Sequence, residues 1–199
     1  MAEEKIRINL RSLRQSAGLS LAQAAARTGV SKAMLGQIER GESSPTLATL
    51  WKLAKGFHLP LTAFIEELVP PAEQPPLVPG AAAGAEARQP EAVQFPGSIA
   101  VRPVFAFDPR LGSESFEVTL VPRQSHVSQA HDTGVVEDVF VTAGAVEVLS
   151  GGSWQRLEPG EGLRFAADAP HGYRNTGGAP ARFLNTLYYP KAAGLTPRE

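Results

Sequence analysis

The sequence predicts a two-domain α + β protein in which a bundle of five helices precedes an all-β domain. Residues 1–69 contain capped segments with apolar positions at helical spacing, whereas short runs of β-branched and aromatic residues begin at residue 98. Between them, residues 70–97 are rich in proline and alanine and have few large apolar side chains, which is typical of a linker. In an alternative interpretation, its last few residues, from about Ala92, form an edge strand of the β domain. We therefore expect a helical domain over residues 1–69, a linker over 70–97, a β domain over 98–190 and a loose tail over 191–199.

Two short helices joined by a tight turn are predicted within residues 18–45. Ser20 and Ser31 are placed to cap them, because a serine hydroxyl accepts a free backbone N–H of the first turn. Gly29 supplies the turn, since glycine reaches positive φ without steric cost. Apolar residues of the second helix face a core, and the opposite face carries Lys32, Ala33, Gly36, Gln37 and Arg40. This pattern is typical of a helix-turn-helix whose second helix enters a DNA major groove.

Three further helices complete the predicted bundle. Residues 4–17 alternate apolar and basic positions and are expected to form the first helix. Thr46 caps a fourth helix, on which we expect Trp51 to fill the core. Pro60 opens a fifth short helix that ends near Leu68.

The composition limits the function. The 199 residues contain no cysteine, which excludes disulfides, cysteine zinc sites and thiol catalysis. No apolar run approaches the roughly 18 residues that a membrane span needs, and no signal peptide is expected, so we predict a cytoplasmic protein without a membrane partner. Residues 1–69 hold nine Lys or Arg and six Asp or Glu, whereas the remainder holds ten and fourteen. Only the helical domain therefore has the positive charge that suits phosphate contacts.

Several short motifs in the helical domain match a known pattern. They are Leu13-Arg14, Gly18-Leu19-Ser20, Gly29-Val30-Ser31, Ile38-Glu39-Arg40-Gly41 and Ser44-Pro45-Thr46. The segment resembles the phage-repressor (Cro/C1) class of helix-turn-helix proteins, in its bacterial xenobiotic-response-element branch. That family pairs an arginine of the first helix with a glutamate ending the recognition helix, positions that Arg14 and Glu39 occupy. The expected DNA-binding residues are Ser20, Ser31, Lys32, Ala33, Gly36, Gln37, Arg40 and Ser43.

The β domain contains a second spaced pattern. Glu137 precedes Gly144 by seven positions, and His171 precedes Asn175 by four. This resembles the cupin fold, a small double-stranded β-helix barrel. Its first motif places two histidines one residue apart, then a glutamate, then six residues and a glycine. His131 matches the second histidine, but Gln129 stands where the first is expected, and the gap from His131 to Glu137 is a residue or two longer than usual.

The resemblance to cupins implies a ligand site formed by Gln129, His131, Glu137 and His171, and two interpretations of it remain open. His131, Glu137 and His171 form a two-histidine, one-carboxylate set that suits a divalent metal such as Zn, Fe, Mn or Ni. Alternatively, the barrel holds no metal, and these groups hydrogen-bond a small organic ligand or line a polar pocket. His126 is out of step with the motif and is expected in a loop. We expect aromatic cavity walls from Phe165, Tyr173 and Tyr188.

Proteins that join this helix-turn-helix to one C-terminal cupin are a familiar type of bacterial regulator. The resemblance therefore implies a repressor-like DNA-binding bundle, a cupin barrel that senses a small-molecule effector, and a homodimer on operator DNA. The alternative is an enzyme, a metal-dependent cupin oxygenase or epoxidase that carries a helix-turn-helix domain. The predicted linker favours coupling through the spacing of two DNA-binding domains in the dimer, and not through a rigid path along one chain.

Overall fold

The computed structural model describes residues 8–65, 93–95 and 99–190. Within these ranges, no helix is both long and apolar enough to cross a membrane. The helical domain consists of α1 (Leu10–Ser16), α2 (Leu21–Thr28), α3 (Lys32–Glu39), α4 (Leu47–Phe57) and a 3₁₀ helix (Leu61–Phe64). Its core is made of buried apolar side chains, among them Leu10, Ala24, Leu35, Ile38, Leu50, Leu53 and Phe64.

The helices begin at the predicted caps. The side-chain oxygens of Ser20, Ser31 and Thr46 each accept a hydrogen bond from the backbone N–H three residues later. At the end of α2, Gly29 has a φ of 67°, in the left-handed region that glycine reaches without a Cβ clash. The predicted helix–turn–helix geometry of α2 and α3 is therefore confirmed.

The expected fifth α-helix is only a single 3₁₀ turn, so the five-helix prediction is wrong in its last member. The backbone N–H groups of Leu61 and Thr62 donate to Glu114 of the β domain, at 2.9 and 3.0 Å. Directly afterwards, Ile65 forms an isolated antiparallel bridge with Ile8. The turn therefore begins with its free N–H groups bonded to Glu114 and ends where Ile65 pairs in extended geometry. The expected end near Leu68 lies outside the described residues.

Among the described residues, ten strands, all paired antiparallel, form the β domain. They are β1 (Val93–Phe95), β2 (Ile99–Asp108), β3 (Ser113–Leu120), β4 (Gln124–Ser128), β5 (Val136–Ala143), β6 (Val146–Ser150), β7 (Ser153–Leu157), β8 (Gly162–Ala166), β9 (His171–Asn175) and β10 (Ala181–Tyr188). One sheet has the order β1-β2-β3-β10-β5-β8, and the other has the order β4-β9-β6-β7. The predicted α + β organisation in two domains is therefore confirmed.

Three strands lie outside the runs of β-branched and aromatic residues that predict the β domain. β1 pairs with β2 at the edge of the larger sheet, which confirms the alternative of an edge strand at the end of the expected linker. β4 and β9 pair with each other and carry His126 and His171. Both are short and polar, so their own strand preference is weak and the pairing with neighbours decides their structure. The rest of the expected linker and the expected tail lie outside the described residues.

Gly144 occupies the turn between β5 and β6, at the glycine position of the first cupin motif. Its φ is +67°, and a Cβ placed there would lie 2.9 Å from the Cα of Ala181. A side chain at this position therefore strains the backbone and also collides with β10. The motif glycine is required by the close packing of these strands.

Candidate functional site

The outer face of α3 carries most of the predicted DNA contacts. Ser20, Ser31, Lys32, Ala33, Gln37 and Arg40 are exposed, and Ser43 is half-buried. Gly36 is buried, because the guanidinium of Arg40 covers it; a Cβ at Gly36 would lie 3.1 Å from Arg40 Nη1. Direct contact of Gly36 with a base would thus require Arg40 to move.

Arg40 is held by Glu42 in the DNA-free protein. Its Nε and Nη2 donate to the two carboxylate oxygens of Glu42, each at 2.7 Å. Hydrogen bonding to Glu42 raises the pKa of Arg40, and the same bond lowers the pKa of Glu42. Both side chains are exposed, so a DNA phosphate can compete for the guanidinium.

Arg14 and Glu39 form the predicted ion pair. Arg14 Nε and Nη2 donate to Glu39 at 2.6 and 2.8 Å, and Arg14 Nη1 donates to the carbonyl of Leu19 at 2.8 Å. The pair joins α1 to the end of α3 and points away from solvent, with 14% and 7% of the side chains exposed. This prediction from the family pattern is confirmed.

In the β domain, His131, Glu137 and His171 converge. One ligand atom from each lies within 4.8 Å of the others. Glu137 Oε1 is 2.8 Å from His131 Nε2 and 3.3 Å from His171 Nε2. The three residues belong to the segment after β4, to β5 and to β9, so the fold brings together what the motif spacing predicted.

Glu137 is a buried carboxylate with partners on both oxygens. Its Oε2 accepts hydrogen bonds from the Tyr173 hydroxyl and from Asn185 Nδ2, the latter at 2.9 Å. Burial by itself raises the pKa of Glu137, but hydrogen bonds from His131 and His171 outweigh it and hold the pKa well below its usual range. Glu137 is therefore an anion at neutral pH.

The hydrogen bonds around Glu137 also fix its neighbours. His171 Nδ1 donates to the carbonyl of Ala169 at 2.9 Å, which directs Nε2 toward Glu137. Burial lowers the pKa of His171, but the hydrogen bond to Glu137 and its negative charge outweigh this and raise the pKa. Burial and the charge of Glu137 raise the pKa of Tyr173 well above its usual value. Its hydroxyl therefore stays protonated and donates a hydrogen bond to Glu137.

Gln129 does not take part in this cluster. It follows the last residue of β4 and is exposed, whereas His126 and Ser128 line the cavity. Alternation along the strand places these two side chains on one face and directs the intervening residue away. The expected loop position of His126 is therefore wrong, and Gln129 is exposed and does not line this cavity. A strand prediction for residues 124–128 would have placed His126 and Ser128 together on the cavity face.

His126 has an unsatisfied nitrogen. Its Nε2 is buried and has no hydrogen-bond partner among the described residues. Burial, together with the charge of His171, lowers the pKa of His126, so its imidazole is neutral at pH 7. A buried polar atom of this kind is costly without a partner, which indicates that a ligand or water supplies one.

The predicted aromatic walls are only partly present. Tyr173 lines the cavity. Phe165 is buried behind His171, with the ring centroids 5.6 Å apart. Tyr188 is exposed, and the guanidinium of Arg164 lies over its ring, with Arg164 Cζ 5.6 Å from the ring centroid.

The cavity is small and lies between the two domains. Its volume is about 30 Å³, roughly the space of one water molecule. The helical domain contributes Leu47 and Trp51 from α4, and Leu61. The Trp51 and His131 rings are 4.3 Å apart between centroids, so Trp51 forms part of the cavity wall and does not simply fill the helical core as expected. The β domain contributes Ile99, Val101, Phe116, Val118, His126, Ser128, His131, Glu137, Tyr173 and Asn185.

The donor set fits a divalent metal ion. Two imidazole nitrogens and a carboxylate oxygen converge, and such a set suits Zn, Fe, Mn or Ni. The unpaired Nε2 of His126 adds a further nitrogen on the same cavity. The same groups also suit a small organic ligand that accepts and donates hydrogen bonds.

Comparison with known proteins gives two family matches in this chain. The helix-turn-helix family HTH_3 matches residues 10–64, and the cupin domain family Cupin_2 matches residues 116–187. The HTH-type transcriptional regulator SutR of Escherichia coli (strain K12) is 41% identical over 183 residues, which cover 92% of this chain and 94% of SutR.

Two solved structures are also similar. The crystal structure of an HTH_3 family transcriptional regulator from Vibrio cholerae has 40% sequence identity and a TM-score of 0.72, and the match covers 92% of this chain and 93% of that one. The Cupin_2 domain of an XRE family transcriptional regulator from Enterobacter cloacae has 38% identity and a TM-score of 0.46, over 47% of this chain and 98% of that one. The chain therefore belongs to the family of helix-turn-helix transcriptional regulators that carry a cupin domain.

Proposed function

We propose that this regulator binds operator DNA through α3 and senses a small molecule in its cupin cavity, in the cytoplasm. The observation that carries the proposal is the exposed polar face of α3, which presents Lys32 and Gln37 to solvent. A helix of this kind fits a major groove, and the basic charge of the helical domain suits the phosphates beside it. Residues 1–69 carry DNA binding in this proposal, and residues 98–190 together with β1 carry sensing.

The contacts with DNA divide into two classes. Lys32, Ala33 and Gln37 face base edges, and a glutamine side chain can pair bidentately with adenine. Ser20, Ser31, Arg40 and Ser43 face phosphates, which fix the position of the helix without reading sequence. Gly36 has no side chain, so the backbone of α3 can approach the groove closely once the Arg40 side chain has turned away from Gly36 to contact a phosphate.

The effector site consists of His131, Glu137 and His171, and we add His126 in place of Gln129. A divalent metal held by these residues is one occupant, and it would supply open coordination positions for a small molecule. We infer that the two sheets form the walls of a cupin barrel around this site. The orphan Nε2 of His126 and the anionic Glu137 support a polar occupant.

We also propose a homodimer, because one recognition helix covers only half of a palindromic operator. The outer face of the larger sheet is the surface that we assign to the partner copy. Phe140 and Leu184 are register neighbours on β5 and β10, with 46% and 37% of their side chains exposed. Large apolar side chains of this kind usually become covered.

A DNA titration tests the proposed function. The protein is added to a labelled duplex from upstream of its own gene, with excess unrelated DNA as competitor, and binding is followed by fluorescence anisotropy. We expect specific binding that the double variant Lys32→Ala/Gln37→Ala loses. The matched control is Gln155→Ala, which removes an exposed glutamine of β7. Equal binding by the double variant and the wild type would refute the assignment of α3.

A second candidate function is a metal-dependent oxygenase, which the convergence of His131, Glu137 and His171 favours. Two histidines and a carboxylate are the donor set of non-haem iron oxygenases. Protein loaded anaerobically with Fe(II) is mixed with oxygenated buffer and candidate substrates, and oxygen uptake is recorded. Substrate-dependent uptake that His171→Ala abolishes would establish the enzyme. Uptake equal to that of free Fe(II) would exclude it for the substrates tried.

A further inference from the structure

The helix α4 holds the segment that carries His131. Trp51 packs on the imidazole of His131, with the ring centroids 4.3 Å apart and the planes inclined by 48°. One helical turn later, Lys55 Nζ donates to the carbonyl of Ala130 at 3.1 Å. The helical domain therefore contacts the ligand residue His131 through its ring and the preceding residue, Ala130, through its backbone carbonyl.

A second set of contacts joins the domains away from the cavity. Glu114 on β3 is fully buried, and its carboxylate accepts hydrogen bonds from the Leu61 and Thr62 backbone N–H groups and from the Thr62 hydroxyl, the last at 2.7 Å. The hydroxyl of Tyr189 donates to the same carboxylate. Separation of the domains removes three of these hydrogen bonds at once, and they fix how the 3₁₀ turn sits on β3, so the docked arrangement of the domains is specific.

The size of the cavity limits its occupant while the domains stay docked. About 30 Å³ holds one water molecule or one metal ion. Most of the other walls belong to the β domain, whereas Trp51, like Leu47 and Leu61, belongs to the helical domain. A single cation therefore fits this cavity, and withdrawal of Trp51 would make room for a larger organic molecule.

We propose that Trp51 is a positioning residue for His131 and couples the docking of the DNA-binding domain to the occupancy of the ligand site. A divalent cation on His131, Glu137 and His171 stabilises the docked domain, because Trp51 keeps the imidazole aimed at the other two ligands. By reciprocity, undocking weakens the cation site. This inference rests on the proposal that the three residues hold a metal.

The first experiment measures docking without any ligand. The chain has two tryptophans, and Trp154→Phe leaves Trp51 as the sole reporter. In this background we expect Trp51 to be partly protected from acrylamide, and Glu114→Gln to raise the quenching constant toward that of free tryptophan. Glu114 does not line the cavity itself, and the variant weakens the contacts that its carboxylate makes with Leu61 and Thr62 of the helical domain. An unchanged quenching constant in Glu114→Gln, with the fold intact by circular dichroism, would contradict the docked arrangement.

The second experiment uses Zn²⁺ alone as the probe, with its dissociation constant measured by competition against a chelating dye. We expect Trp51→Ala and Glu114→Gln each to weaken Zn²⁺ binding by about tenfold, a usual size for coupling between sites. Trp51→Phe keeps a ring against His131 and should restore most of the affinity. The control is Trp154→Ala, which removes a ring that packs on Arg174 at 4.2 Å, outside the cavity.

The outcomes separate the two proposals. If the wild type binds Zn²⁺ and Trp51→Ala binds it equally well, the coupling through Trp51 is wrong and the metal site stands. If the wild type takes up no Zn²⁺ but still binds operator DNA, the metal site and the coupling to a cation both fail, and the DNA-binding proposal stands. Loss of affinity in Trp51→Phe as large as in Trp51→Ala contradicts positioning by a stacked ring.

Discussion

Arg14 and Glu39 illustrate how a single pair of residues supports the DNA-binding surface without touching DNA. Their two hydrogen bonds, at 2.6 and 2.8 Å, fix the end of α3 against α1. We expect Glu39→Ala to lower the free energy of unfolding by about 3 kcal/mol, because removal of one partner leaves a poorly hydrated guanidinium. Thermal and urea unfolding of the full chain measure this change.

The matched control for Glu39→Ala is Glu158→Ala. The pair of Arg156 and Glu158 has a similar distance, 2.8 Å, but more than half of each side chain is exposed. Its removal should cost less than about 1 kcal/mol, since water replaces the lost partner. If Glu39→Ala costs no more than Glu158→Ala while DNA binding disappears, Glu39 contacts DNA and is not structural.

At the same scale, the sequence predicts residues whose role depends on local spacing. His131, Glu137 and His171 follow from the motif, and Ser20 and Ser31 follow from cap chemistry. Glu114 shares a strand face with Phe116 and Val118, so the alternation of β3 also predicts that its carboxylate is buried. Trp51 is different, because helical periodicity tells which face avoids water but not which domain covers it.

The element that carries specificity is α3, and two variants on it should behave differently. Gln37→Ala should reduce the preference among operator sequences, at a cost of roughly 1–3 kcal/mol at the affected base pair. Arg40→Ala should weaken binding to all sequences alike and flatten the salt dependence, because it removes a phosphate contact. Anisotropy titrations on a set of single-base operator variants, at several salt concentrations, measure both. Equal loss on all variants for Gln37→Ala contradicts its base contact.

Helices and strands could be predicted where the local sequence, through caps and the spacing of apolar residues, determines the structure. α2, α3 and α4 have caps and an apolar stripe, and β5 alternates cleanly, with Val139 and Val141 buried and Phe140 exposed. The short strands β4 and β9 and the 3₁₀ turn have weak local preferences. Their structure comes from pairing between strands and from Glu114, partners that are distant in sequence.

For the whole molecule, the direct contact of the two domains changes the expected route of coupling. The sequence suggested that signals must cross a linker, yet Trp51, Lys55 and Thr62 lie against the cupin domain. A path within one chain is therefore available, and a change in spacing between two chains is not required. The composition of residues 70–97 gave no information about this contact, because the docking contacts involve residues outside that segment.

The oligomeric state is a second property of the whole molecule. Light scattering should give a mass of twice the 21.1 kDa of one chain at micromolar concentration. Phe140→Lys should shift the mass toward that of one chain, since it places a charge on the apolar face of β5 and β10. Leu111→Lys, which changes another exposed apolar residue, serves as the control. A single-chain mass for the wild type would contradict the dimer.

The central claim is that the cupin cavity controls operator binding, and one comparison tests it most directly. Operator affinity is measured for the wild type and for His131→Ala/His171→Ala, with and without a protein-free metabolite extract supplemented with divalent metals. We predict that the extract changes the wild-type affinity by about 5–150-fold, the usual range of allosteric coupling, and that the double variant keeps its basal affinity but loses this response. A double variant that still responds like the wild type would show that the effector acts elsewhere and would contradict the account.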